Sequence, residues 1–102
     1  IKLEEVLLNL LRNAREAVGE KGRISLSAER REDTIVIQCR DNGCGIPEDL
    51  TDTIFEPFVT YKENGTGLGL SSSKQTIEAH GGTIYAQSSP ETGTVFTVTL
   101  PV

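Results

Sequence analysis

The chain has no apolar run near the roughly 18 residues that a membrane-spanning helix needs, so this piece is expected to be soluble. It has no basic stripe either: the ten Lys and Arg are scattered and the net charge is −5. Neutralising a phosphate backbone takes a basic face, so a nucleic-acid binder is disfavoured. Two cysteines, Cys39 and Cys44, and one histidine, His80, are too few for a structural zinc site. Both thiols read as free, as in a reducing compartment. The opening "IKLEEVLL" lacks the charged start and short greasy stretch of a secretory signal; it is amphipathic, and the chain reads as an excised piece that starts in or just before a helix. Repeats and low-complexity tracts are absent. What remains, 36% hydrophobic and 25% charged residues over 102 positions, fits one globular domain with a modest core.

Apolar residues at Leu3, Leu7, Leu10, Leu11, Ala14, Ala17 and Val18 recur at three- and four-residue steps, which predicts a helix over 3–18 with that face buried. "RISLSAERR" at 23–31 alternates Ile24, Leu26 and Ala28 with polar residues, and "DTIVIQCR" at 33–40 is rich in β-branched side chains. They read as two strands joined by a turn near Arg31, Glu32 and Asp33. Residues 41–66 are irregular, broken by Gly43, Gly45, Pro47, Pro57 and Gly65, with one helical turn expected after Pro47. So long a connection suits a lid or binding loop. A second helix is expected from Gly67 to His80, stopped by Gly81–Gly82, with His80 at the negative end of its dipole. "TIYAQSS" and "TVFTVTL" then form a hairpin around "PETG". Helix, two strands, loop, helix, two strands predicts a two-layer α/β sandwich of the α+β class, with helices on one face of a mixed, mostly antiparallel sheet.

Four stretches carry chemistry. On the first helix Glu5, Asn9, Arg12, Asn13 and Glu16 share a stripe. A solvated face is one reading. Asn, however, is a poor helix-interior residue, roughly 0.5 kcal/mol worse than Ala, and two amides a turn apart also suit one ligand, their oxygens facing Mg²⁺ and their NH₂ groups facing phosphate. "DNGCGIPEDL" at 41–50 is a hairpin turn on one account, but no strand follows. On another, Asp41 is a fixed acceptor at a strand end, suited to an exocyclic amine such as that of adenine, and Gly43 and Gly45 let a flat ligand approach the backbone. "NGTGLGLSSSKQ" at 64–75 runs Gly65, Gly67 and Gly69 into a helix, which offers N–H groups to phosphate. It has neither the Gly-Lys-Ser/Thr of a Walker A loop nor the spacing of a dinucleotide fingerprint. Ser71, Ser72 and Ser73 have no paired histidine and read as helix-surface residues. In "IFEPFVTYKENG" at 54–65, Phe55 and Phe58 either anchor a loop in the core or hinge a lid that brings Lys62 toward phosphate.

Taken in order, these stretches resemble the ATP-binding catalytic domain of two-component sensor histidine kinases, which has the Bergerat fold. "LLNLLRNAREAV" is similar to the N box, "DNGCGIP" to the first glycine box, "FEPF" to the F box and "GTGLGL" to the second glycine box. The tail resembles the family's last helix and hairpin, so the likeness covers nearly the whole chain. "NLLRNAREA" with "TYKENGTGLGL" is similar to the nitrogen- and oxygen-sensing branch, which has a short lid.

The resemblance implies cofactors ATP and Mg²⁺, with Asn13 coordinating the metal and Asn9 supporting the metal or phosphates. Asp41 is implied to bind the adenine amine, helped by Gly43 and Gly45, and Gly65, Gly67, Gly69 and Leu70 to pass close to the nucleotide. Arg12, Arg15 and Lys62 are the candidates for offsetting phosphate charge, and Asn9 and Lys62 for a catalytic part. Many relatives carry Lys and Tyr where this chain has Glu16 and Ala17, so contacts of that pair do not transfer. Family domains usually begin with a strand and a helical segment ahead of the N box, so 1–102 is expected to be a shortened catalytic domain. The phosphoacceptor histidine lies on a separate dimerisation domain, and His80 is not that residue. Expected partners are that domain and a response regulator, with no nucleic acid and no direct membrane contact, in the cytoplasm. An isolated fragment should bind nucleotide and transfer nothing by itself. The competing readings are an ATPase of the gyrase, mismatch-repair or chaperone type and a non-catalytic nucleotide sensor. Those ATPases, and commonly serine-directed kinases of the same fold, carry an acidic residue in place of Asn9, and an amide is no base at neutral pH.

Overall fold

The computed structural model describes residues 3–18, 22–43, 45–46, 50–51, 53–56, 69–89 and 92–102. The elements run α1 (Leu3–Val18), β1 (Ile24–Arg31), β2 (Thr34–Asp41), α2 (Gly69–Ala79), β3 (Thr83–Ser89) and β4 (Gly93–Pro101). The four strands form one sheet in the order β1-β2-β4-β3, and all three pairings among them are antiparallel.

Register decides which side chains face the helices. Ile37 lies opposite Val98 and Cys39 opposite Phe96, while Val98 and Phe96 lie opposite Ile84 and Ala86. Side chains alternate along a strand, so these residues share one face, and there they form one core with Val6, Leu10 and Ala14 of α1 and Ile77 of α2. The helices thus cover a single side of the sheet, as expected of a two-layer sandwich.

Glu4 and Glu5 in its first turn and Arg15 in its last suit the dipole of α1. Its buried stripe is Val6, Leu10, Asn13 and Ala14, turned slightly from the expected one. Val6 is buried where Leu7 is only half-buried, because α1 packs down against α2 as well as onto the sheet. At the other end of the chain, α2 stops as Gly81 and Gly82 predict. Gly82 N–H donates to the Ile77 carbonyl and Gly81 N–H to that of Glu78, each at 2.9 Å, with Gly81 at φ 80°. This pairing satisfies the last helical carbonyls. His80 sits at that end, its ring Nδ1 2.8 Å from the Thr76 carbonyl.

Two expectations are corrected. The alternation in β1 predicts a half-buried strand, yet all eight of its residues are exposed, Leu26 at 48%. The strand residues of the core all come from β2, β3 and β4, although β3 is a sheet edge just as β1 is. Ser71 and Ser73, read as surface residues, are 6% and 4% exposed; Ser73 lies on the side of α2 that meets α1, where it accepts a hydrogen bond from Asn9.

Two tight-turn hydrogen bonds follow, from Thr53 N–H to the Leu50 carbonyl and from Glu56 N–H to that of Thr53. These turns drop Ile54 into the core at 1% exposure and set Phe55 edge-on to Phe96, ring centres 6.2 Å apart at 86°. Phe55 therefore acts as an anchor. Phe58 lies outside the described residues, as does the short stretch directly after Pro47.

Candidate functional site

Asp41 is the last residue of β2, and the residue is 3% exposed. Burying a charge is costly unless it is paired or hydrogen-bonded. Here Oδ1 accepts the Gly43 N–H at 2.9 Å, which closes a turn two residues on. The neighbouring Asn42 is fastened the other way: its Oδ1 accepts the Arg23 N–H at 2.7 Å and its N–H donates to the Arg23 carbonyl at 3.2 Å. The carboxylate at the strand end is thus held by the Gly43 backbone, and the residue after it by the backbone of Arg23. A cleft of about 610 Å³ opens here, bordered by Asp41, Asn42, Arg23, Arg40 and Thr92.

The glycines of this turn serve the protein's own packing. A Cβ on Gly43 would lie 2.5 Å from the Ala17 carbonyl oxygen, so the room that Gly43 leaves is taken by α1 and the turn abuts that helix at Ala17. Gly45 stands at φ 78°, where L side chains are strained.

Along α1 from Ala17, Asn13 is one turn back and Asn9 two, all on one side. Asn13 is buried at 9% exposure. Asn9 reaches α2: its Nδ2 donates to Ser73 Oγ at 3.1 Å, and Ser73 donates to the Gly69 carbonyl at 3.0 Å. A Cβ on Gly69 would sit 2.8 Å from the Asn9 amide, so a larger residue there would push that amide aside. A second cleft, about 470 Å³, opens there between the helices, lined by Glu5, Asn9, Arg12, Ser72, Ser73 and Thr76 among others. Arg12 is exposed at its rim. The site is therefore a strip along α1, from the Asp41 turn at residue 17 to the start of α2 at residue 9, ~12 Å at 1.5 Å per residue.

Of the residues singled out by sequence, the structure brings together Asn9, Arg12 and Gly69 at one end and Asp41, Gly43 and Gly45 at the other, with Asn13 between. Leu70 is half-buried and packs on the core. Arg15 is exposed. Lys62, Gly65 and Gly67 lie outside the described residues, as does Cys44. Cys39 is a free, buried thiol; burial first, and the Asp41 carboxylate second, push its pKa up. No group of three His, Cys, Asp or Glu able to hold a metal occurs among the described residues. No helix among them is long and apolar enough to cross a membrane.

Sequence reasoning missed three residues. Thr94, 2% exposed, lies directly opposite Asp41 in the sheet. Ser88 is in turn opposite Thr94, and Ser73 holds Asn9. Only the strand register and the helix pairing reveal them, although "GTVF" after a turn marked Thr94 as the start of a strand.

A buried carboxylate at a strand end and a line of amides along the first helix, reaching a glycine at the start of the second, lie on one α/β sandwich. The chain matches, over residues 1–102, the family described as histidine kinase-, DNA gyrase B- and HSP90-like ATPase, and it belongs to that family. Among its relatives are sensor histidine kinases. It is 47% identical to the C4-dicarboxylate transport sensor protein DctB of Rhizobium meliloti over 98% of this chain and 16% of that protein. It is 46% identical to the sensor histidine kinase ZraS of Salmonella typhimurium over 99% of this chain and 22% of that protein. The chain thus spans about a fifth of the length of these relatives. Among solved structures, the catalytic domain of histidine kinase ThkA superposes with a TM-score of 0.86 at 42% identity, covering 97% of this chain and 65% of that one. Full-length ShkA in complex with AMPPNP gives 0.86 at 30% identity, over 97% of this chain and 21% of that one. ThkA in complex with the response regulator TrrA gives 0.82 at 38% identity, over 98% and 28%.

Proposed function

We propose that residues 1–102 are the catalytic domain of a sensor histidine kinase, binding Mg·ATP and presenting its γ-phosphoryl group to a histidine on a separate dimerisation domain, from which a response-regulator Asp would take it. The observation that carries this reading is the buried, backbone-held carboxylate of Asp41 at one end of a strip whose other end is the Asn9–Gly69 contact. A carboxylate only accepts hydrogen bonds; with Oδ1 engaged by Gly43, Oδ2 would accept the exocyclic amine of adenine. The phosphates would then run along α1 toward α2, whose N-terminal N–H groups and dipole favour an anion, with Arg12 at the rim.

The donor set suits Mg²⁺, which is commonly held by a few hard oxygens together with substrate phosphates: the Asn13 amide oxygen is the protein donor, and the ion would offset phosphate charge. Phosphoryl transfer otherwise asks the protein for positioning and charge compensation, and Lys62 is our candidate for a further cation there. At Asn9 the side chain is an amide already engaged with Ser73, with no basic lone pair to activate water. Glu5, the nearest carboxylate along α1, is exposed and one turn away. Both points support transfer over hydrolysis.

Incubating the chain with γ-labelled ATP and a separately supplied dimerisation domain should label that domain's histidine. Phosphate release into water without it would identify a hydrolase, and nucleotide binding with neither outcome a sensor.

A further inference from the structure

Ser88 faces the helix side of β3, in one row with Thr94 of β4 and Asp41 of β2. Its hydroxyl accepts the Ile46 N–H at 2.6 Å and lies 3.1 Å from Thr94 Oγ1 and 3.4 Å from the Gly93 carbonyl, toward which its proton can point. Ile46 is 5% exposed, a member of the core, and it ends the turn that Asp41 begins. Gly45, between them, stands so close to β3 that a Cβ would lie 3.0 Å from both Ser88 Oγ and the Ser89 carbonyl oxygen. The turn is therefore fastened at its start by the Asp41–Gly43 and Asn42–Arg23 bonds and at its far end by Ser88.

We propose that Ser88 is a positioning residue that sets base specificity: by tying the Gly45–Ile46 peptide to the sheet, it fixes the register in which a purine meets the Asp41 carboxylate. This rests on the nucleotide reading above. A carboxylate alone does not select adenine. Guanine offers it an N1–H and an N2 amine, a good paired donor edge, if the base can slide by about one ring position. Held in the adenine register, guanine instead turns its O6 carbonyl to the carboxylate, acceptor against acceptor, and is rejected. Sites that enforce such a mismatch discriminate far better than apolar fit does. The tether at Ile46 is what prevents the slide.

The test is Ser88→Ala in the chain, with affinities for Mg·ATP, Mg·GTP and Mg·inorganic triphosphate measured by calorimetry. The expected result is ATP affinity lower by about tenfold, GTP affinity equal or higher, and triphosphate affinity unchanged. Ser88→Cys keeps the volume with a weaker acceptor and should shift the ATP/GTP ratio the same way, which keeps the test open should the alanine variant not fold. An unchanged ATP/GTP ratio in a folded variant, or an equal loss for all three ligands, overturns the role of Ser88 and leaves the nucleotide reading standing. Absence of ATP binding by the unsubstituted chain overturns that reading and this proposal with it.

Discussion

Replacing Asp41 with Asn is the sharpest probe of the site, because it changes the charge and one acceptor while leaving the shape almost intact. In the native turn one carboxylate oxygen is occupied by the Gly43 N–H at 2.9 Å, and on the proposed reading the other accepts from the base. The amide has a single oxygen. If that oxygen keeps the Gly43 bond, an NH₂ group faces the base, donor against the donor of adenine. A hydrogen bond to a charged acceptor contributes about 1.5–3 kcal/mol, so Asp41→Asn should weaken ATP binding by roughly 10- to 150-fold at 1.4 kcal/mol per decade. GTP, whose O6 accepts from NH₂, should lose far less. The retained Gly43 bond should keep the loss of folding stability under about 1 kcal/mol. Calorimetric titration with both nucleotides, beside a urea melt, reads all three quantities. A folded variant whose ATP affinity stays within about twofold, well under the one decade expected, would show that this carboxylate does not read the base.

Leu10, 0% exposed at the centre of the core, should cost about 2–5 kcal/mol when cut to Ala, a large share of the 5–15 kcal/mol typical of a whole domain; a urea unfolding curve measures it. Gly43→Ala sets a methyl 2.5 Å from the Ala17 carbonyl oxygen, which forces the turn off α1 at about 1–3 kcal/mol and should lower ATP affinity too. Gly81→Ala, at φ 80° but with its nearest neighbour 3.5 Å away, should cost ~1 kcal/mol and leave ATP affinity alone, which separates strain at the site from strain elsewhere. The buried Cys39 thiol, its pKa raised by burial and then by Asp41, holds its proton more tightly in the folded state. Its contribution is complete below the unfolded thiol value of ~8.5 and is lost as pH rises through the higher folded value. The urea midpoint should therefore fall on the alkaline side, and Cys39→Ala should remove part of that fall.

Much of this molecule is local physics and could be read directly from residues. The three- and four-residue steps of Leu10 and Ala14 fix a helix; the alternation at "TIYAQSS" and the Gly81–Gly82 stop depend on neighbours in the chain, and the elements fall where those patterns put them. The order of elements then leaves few sandwiches to choose from. Asn9, Asn13 and Asp41 stood out for a similar reason, since each residue type is out of place locally: an amide inside a helix, a carboxylate closing a β-branched run.

What the tertiary structure alone decided is non-local. The alternating pattern of β1 looks like that of β3, and both are sheet edges, yet only β3 contributes side chains to the core. Ser73 is chemically identical to Ser72, but Ser73 is buried and binds Asn9 whereas Ser72 is exposed. Gly43 and Gly69 serve contacts with Ala17 and Asn9, residues 26 and 60 positions away in the chain. The row Ser88–Thr94–Asp41 exists only because β4 crosses between β2 and β3 in one register; a shift of one residue would turn those side chains to the opposite face. Periodicity and turn chemistry are written in adjacent residues, whereas a binding site is made where distant segments meet.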